Sequence, residues 1–143
     1  MPDAAIFESL KMAAQSGVDV RVMIPCKPDH IFVYWATYSY VGELLRSGGR
    51  AFIYDNGFLH AKTLVVDGEV GTVGSTNFDN RSFRLNFETN AFVFDPKFAK
   101  EMEEAFEFDL EVNGHELTYE DYLRRGPIIK FKEAISRLLS DIL

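Results

Sequence analysis

The sequence predicts an α/β fold with a mixed β-sheet. Short runs alternate apolar and polar residues at period two, longer runs repeat apolar residues at helical spacing, and the two kinds interleave along the chain. Asp3 sits where it can cap a first helix in which Ile6, Leu10, Ala13 and Ala14 share a face, and Gly17 ends it. Val18, Val20, Val22 and Ile24 alternate as a half-buried strand. Pro25 and Pro28 mark a loop that holds Lys27, Asp29 and His30. Tyr34, Tyr38, Val41 and Leu45 place a second helix over 33–46, closed by Gly48-Gly49. A strand at 51–54 and a turn at Asp55-Asn56-Gly57 follow. Strands at 61–66 and 70–73 are joined by Asp67-Gly68, a strong hairpin signal. A loop over 75–85 leads to a strand at 87–94, and Pro96 opens a helix to about residue 110. Two further helical patterns, 118–124 and 127 to the end, form a tail.

The 143 residues suffice for one domain with a core of its own, taken here as 1–110 with a helical tail at 111–143. Hydrophobic residues reach 47% and aromatics 14%, including 13 Phe, so the core is expected to be aromatic-rich. The formal charge of -7 weighs against a general nucleic-acid binder, because an acidic surface repels a phosphate backbone. Cys26 is the one cysteine and has no internal partner, which fits a reducing compartment. The uncharged run over 31–42 is too short to span a bilayer, which takes about 20 residues. The first residues lack the basic and apolar regions of a signal peptide.

The stretch HAKTLVVDGEVGTVGSTN begins at His60. His60 and Lys62 stand two apart on an expected strand, which points both side chains to one face. An imidazole beside a fixed positive charge suits phosphoryl transfer. Histidine can attack phosphorus or protonate a leaving alkoxide near neutral pH. Lysine neutralises non-bridging oxygens as charge builds. Ser75 and Asn77 follow Gly74 and offer two more donors to the same phosphate. Glu88, on the next expected strand, is placed to accept from the second imidazole nitrogen. Taken singly, each residue has a plainer reading. His60 can be structural, Lys62 and Glu88 solvated, Asp67 a turn former and Ser75 part of a loop. Taken jointly, six types at fixed spacing, each about 5% common, match a given start by chance on the order of 10^-8 of the time.

This pattern resembles the signature of the phospholipase D superfamily, H-x-K-x4-D-x6-G-S-x-N, which His60, Lys62, Asp67, Gly74, Ser75 and Asn77 fit without a gap. Glu88 sits where that family places the carboxylate that orients the histidine. The segments GVDVRVMIPCKPDH, VYWATYSYVGELL, YDNGFLHAKTLVVDGEVGTVGSTNFDNRSFRLNFETNAF and ISRLLSDIL resemble bacterial cardiolipin synthases, over nearly the whole chain. The resemblance implies an α/β/α sandwich built twice, each half giving one motif to a shared site. It implies phosphatidyl transfer from one phosphatidylglycerol to another, with glycerol released. One histidine would form a phosphohistidine and the other would act as acid and base. No organic cofactor is implied, and no metal, since Lys62 beside His60 disfavours a dication.

Only one motif is present, so the chain is expected to be the C-terminal half of such an enzyme, an excised fragment that begins inside the fold. The expected partners are phosphatidylglycerol, the N-terminal catalytic half, and a bacterial cell membrane reached through the parent protein. The catalytic part is expected on the cytoplasmic side, and the fragment alone is expected to be soluble, with a homodimer as one possibility. A different reading stays open, a single-motif phosphodiesterase or nuclease that pairs two copies into one site. In a folded but inactive domain, the aromatic residues Phe32, Tyr34, Trp35, Tyr38 and Tyr40 would form an interface, or else Tyr34 and Tyr38 belong to the core. Lys27, Asp29 and His30 either line an entrance or form a solvated loop.

Overall fold

The computed structural model describes residues 2–27 and 31–138. The elements run α1 (Ala4–Gln15), β1 (Arg21–Pro25), α2 (Ile31–Arg46), β2 (Arg50–Tyr54), β3 (Thr63–Val66), β4 (Val70–Gly74), α3 (Asn80–Arg84), β5 (Asn90–Val93), α4 (Pro96–Asn113), β6 (Gly114–Leu117), α5 (Tyr119–Arg124) and α6 (Pro127–Leu138). The strands form two three-stranded sheets, ordered β1-β2-β6 and β3-β4-β5, where the sequence pointed to one mixed sheet. The first sheet is itself mixed. β1 lies parallel to β2 with Ile24 across from Ile53, and β6 lies antiparallel with His115 across from Ile53. The second is antiparallel throughout.

Helices cover both faces of the first sheet. On one side α2 sets Tyr38 and Val41 against Ile24, Ala51 and Ile53, with Tyr34 and Leu45 at the margin. Beyond α2 lies α1, whose Asp3 side chain accepts from the Ala5 and Ile6 amides. Its buried residues are Phe7 and Ala14 rather than the whole expected face, because the Phe7 ring meets the edge of Tyr40 at 5.1 Å. On the other side α4 packs on β2 and β6 and continues over β3 and β4. There a Cβ on Gly71 would stand 2.8 Å from Phe98 and Met102, so α4 sets these two side chains directly over the bare backbone of β4. No helix among the described residues is long and apolar enough to cross a membrane.

The elements after Leu110 do more than form a helical tail. β6 joins the first sheet, and the Arg50 guanidinium meets the Glu116 carboxylate across it at 2.8 and 2.9 Å. Its sequence, Gly-His-Glu-Leu, exposes the two polar residues and so lacks an apolar signature. α5 and α6 fold back on α2. Arg125 lies over the Tyr122 and Tyr38 rings and pairs with the buried Glu133 at 2.6 Å. Burial raises the Glu133 carboxyl pKa, against the pull of Arg125. A Cβ on Gly42 would stand 2.1 Å from the Tyr122 ring, so α2 has a glycine where α5 presses on it.

Other boundaries moved for local reasons. β1 starts at Arg21 and not Val18, which is half-exposed, and Asp19 instead pairs with Arg21 at 2.6 Å. The expected loop at 75–85 contains α3, capped by Asp79 through the Ser82 amide at 2.7 Å. Five residues are too few to show a helical period. Asp29 and His30 lie outside the described residues, as does the side chain of Phe32.

Candidate active site

The hairpin at the centre of the motif forms as its turn residues require. Asp67 and Gly68 take φ of 53° and 63°, the left-handed values of a two-residue turn whose twist matches the strands. Asp67 therefore stands at the tip of the hairpin. The four residues of β3 separate it from Lys62, roughly 13 Å or more along an extended strand. The structure thus sets Asp67 apart from the other motif residues, in the role of turn former.

His60 and Lys62 precede β3 instead of lying on it, in the 55–62 segment that crosses from one sheet to the other. The crossing is anchored at its start. The Asp55 amide donates to the Asn113 carbonyl at 2.7 Å, and the Asn56 side-chain amide donates to Asn113 Oδ1 at 3.0 Å. The Asp55 carboxylate meets His115 Nδ1 at 2.5 Å. At the far end Phe58 stacks on the His60 ring, 5.3 Å between centroids and 24° between planes. Lys62 Nζ donates to the His60 carbonyl at 3.2 Å. Both rings are exposed, so one face of the imidazole is covered by Phe58 while the segment stays open to solvent.

Ser75 and Glu88 form the other wall. The β3–β4 ladder ends with Thr63 across from Val73, so Lys62 and Ser75 leave the hairpin at the same end. Ser75 Oγ donates to Glu88 Oε2 at 2.5 Å and accepts from the Thr89 amide at 3.0 Å. The other Glu88 oxygen accepts from Ser82 Oγ at 3.0 Å and Asn86 Nδ2 at 3.2 Å. These donors, Ser75 foremost, hold the Glu88 carboxyl below its usual pKa, and the charge of Lys62 acts in the same direction. Glu88 precedes β5 by two residues rather than lying within it. The expected bond from the imidazole to Glu88 does not occur among the described residues, where hydroxyl and amide donors hold the carboxylate. Asn77 is exposed on the loop after Ser75.

Gly74 has a strict reason to be glycine. A Cβ there would lie 2.1 Å from Asn90 Oδ1 and 2.2 Å from the Thr89 carbonyl. Only a bare backbone lets β5 pass close enough for Asn90 to receive the Thr76 amide at 3.2 Å and fix the loop. Ser75 and Glu88 are thus brought into contact, and Lys62, next to His60, acts on the Glu88 carboxylate through its charge. Sequence reasoning missed Ser82 and Asn86, hidden in an expected loop, and Phe58, whose place two residues before His60 was the one available signal.

Residues 1–110 match the family described as cardiolipin synthase, PLD-like domain. The chain belongs to this family. Its full length is 60% identical to a cardiolipin synthase of Listeria welshimeri and 56% identical to the major cardiolipin synthase ClsA of Bacillus subtilis. It spans 30% of the length of each of these relatives. Among solved structures it resembles Nuc, a phospholipase D family member from Salmonella typhimurium, with a TM-score of 0.70 and 24% identity over 82% of this chain and 76% of that one. It also resembles phosphatidylserine synthase of Haemophilus influenzae, with a TM-score of 0.73 and 13% identity over 99% of this chain and 36% of that one. These two likenesses give the α/β/α phospholipase D-like fold, and the cardiolipin synthase domain carries the motif that begins at His60 in its open crossing segment.

Proposed function

We propose that this chain is one catalytic half of a cardiolipin synthase and supplies His60, Lys62, Ser75, Asn77 and Glu88 to a site that transfers a phosphatidyl group between two phosphatidylglycerol molecules. The observation that supports this reading most is the Ser75–Glu88 hydrogen bond, with Lys62 acting on the Glu88 carboxylate by its charge beside an open His60, in a chain alike over its whole length to cardiolipin synthases. One histidine of the paired site forms a phosphorus–nitrogen bond as the ester bond from phosphorus to the glycerol headgroup breaks. The other histidine protonates the departing alkoxide. A hydroxyl of the second phosphatidylglycerol then gives up its proton to that base and attacks phosphorus, and the phosphohistidine bond breaks. Either His60 or its counterpart fills the nucleophile's role. Lys62 holds the non-bridging oxygens, a point charge that a planar guanidinium replaces poorly. Glu88 keeps the Ser75 hydroxyl in place. No step calls for a metal or an organic cofactor.

In-line displacement needs one imidazole on each side of phosphorus, and His60 fills one side. The isolated chain should therefore make no cardiolipin as a monomer. The other two histidines, His30 and His115, lie outside any second motif. Two copies could place two His60 residues face to face, and the single-motif phosphodiesterase reading then predicts cleavage of soluble diesters or single-stranded DNA by a dimer. The test is His60→Ala in the parent protein, assayed with phosphatidylglycerol in detergent micelles. Turnover should fall by about 10²–10⁴-fold with folding unchanged. Activity above roughly a hundredth of the original would reject the assignment.

A further inference from the structure

We propose that the outer face of α6 is a docking surface for an anionic lipid bilayer. α6 holds none of the site residues, so the inference stands apart from the catalytic reading. Its Ile128, Phe131, Ile135 and Leu138 recur at spacings of three, four and three, which sets them on one stripe. All four are exposed, Ile128 by 71%, Phe131 by 66% and Leu138 by 83%, while Glu133 and Ser136 face inward and are buried. The helix therefore packs on α2 by its polar residues and turns its bulky apolar ones outward, the reverse of an ordinary surface helix.

Charge identifies the occupant. The cations Lys130 and Lys132 are exposed and lie to either side of the stripe at 100° per residue. Lys130 Nζ donates to the Leu123 carbonyl at 2.9 Å, and Lys132 Nζ lies 5.4 Å from the centre of the Trp35 ring. The one carboxylate among the described residues of α6, Glu133, is buried against Arg125, so the outer face of these residues carries apolar and positive groups alone. This occurs on a chain of formal charge -7. An anionic headgroup layer over an apolar interior matches both parts, with the lysine stems lying along the apolar surface and their ammonium groups among phosphates. A second copy of α6 would set lysines against lysines, and four apolar positions fall short of the three or four heptads of a coiled coil. The twelve described residues reach about 18 Å, enough to lie along the interface.

The test uses the 143-residue chain and vesicles of phosphatidylcholine, with and without phosphatidylglycerol, read by flotation and by the emission of Trp35, the one tryptophan. The chain should float with the phosphatidylglycerol vesicles and blue-shift Trp35, and both signals should weaken with salt. Phe131→Glu should cut partitioning roughly tenfold or more. Lys130→Glu with Lys132→Glu should remove the preference for the anionic vesicles. Circular dichroism melts should stay unchanged, since these positions are exposed. Phe92→Ser, at an exposed phenylalanine on the second sheet, should bind as the original does, and so should His60→Ala. Binding by His60→Ala separates a failure of docking from a failure of the catalytic reading. Absence of flotation, equal flotation with uncharged vesicles, or undiminished binding by Phe131→Glu would each overturn the proposal.

Discussion

The two sheets lie under one helix and differ in almost every other respect. In β1-β2-β6 the central strand is sealed on both faces, with Ala51 fully buried, Ile53 nearly so, and Phe52 buried on the opposite side. In β3-β4-β5 the α4 side is filled by Phe98 and Met102 over Gly71, while the other face leaves Leu64, Val66 and Phe92 exposed, Phe92 by 65%. Hydrophobic stabilisation scales with apolar area removed from water, so the first sheet holds the fold together and the second contributes far less per residue. The second sheet is the one that carries the motif. Its residues are held by polar contacts, Ser75 to Glu88 and Asn90 to Thr76, which set positions accurately without needing burial.

Four measurements would break or sharpen this contrast. Ile53→Ala removes a buried side chain from the sealed strand and should cost about 2–5 kcal/mol of stability in urea denaturation. A loss under about 1 kcal/mol would show that the first sheet is not the main stabilising region. Gly74→Ala forces a methyl group against Asn90 and the Thr89 carbonyl, so β4 and β5 must part. It should cost about 1–3 kcal/mol, and in the parent protein turnover should fall with it.

Acid should act on the second sheet through Glu88. Its folded pKa lies below the ordinary 4.5, first because of Ser75. A carboxyl depressed in this way adds stability that is complete above the ordinary value and is lost as pH falls through the folded value. Melts of the original and of Glu88→Gln should therefore keep a constant separation above pH 4.5 and converge below it. A separation that widens on acidification would contradict the polar cluster. The smallest effect belongs to Phe92→Ser on the open face, expected within about 0.5 kcal/mol of the original. A loss of 2 kcal/mol or more at that position would mean that something covers this face in solution, roughly the cost of a buried aromatic.

Much of the site could be read from adjacent residues because its geometry is local. Asp67-Gly68 sets the turn, the turn sets the β3–β4 register, and the register leaves Lys62 and Ser75 at the same end of the hairpin. The reach of the carboxylate was not local. Glu88 was expected to meet the imidazole, yet Ser75, thirteen residues before it, and Ser82 and Asn86 from the α3 region hold it instead. His115 lies outside the motif, and in the fold it meets Asp55, sixty residues away, at the root of the segment that carries His60.

The sequence by itself determined the α/β class, the helix starts at Asp3 and Pro96, the hairpin and the set of candidate residues. Each of these depends on groups within a few positions of one another, where backbone geometry and side-chain type suffice. Only the tertiary structure decided that the strands split into two sheets, that Gly-His-Glu-Leu joins β2, that Gly74 is required by β5, and that α6 turns its apolar stripe outward. Those outcomes depend on which distant surfaces meet. Arg50 and Glu116 are 66 positions apart, and no local pattern records that a polar edge strand will find its partner across such a distance.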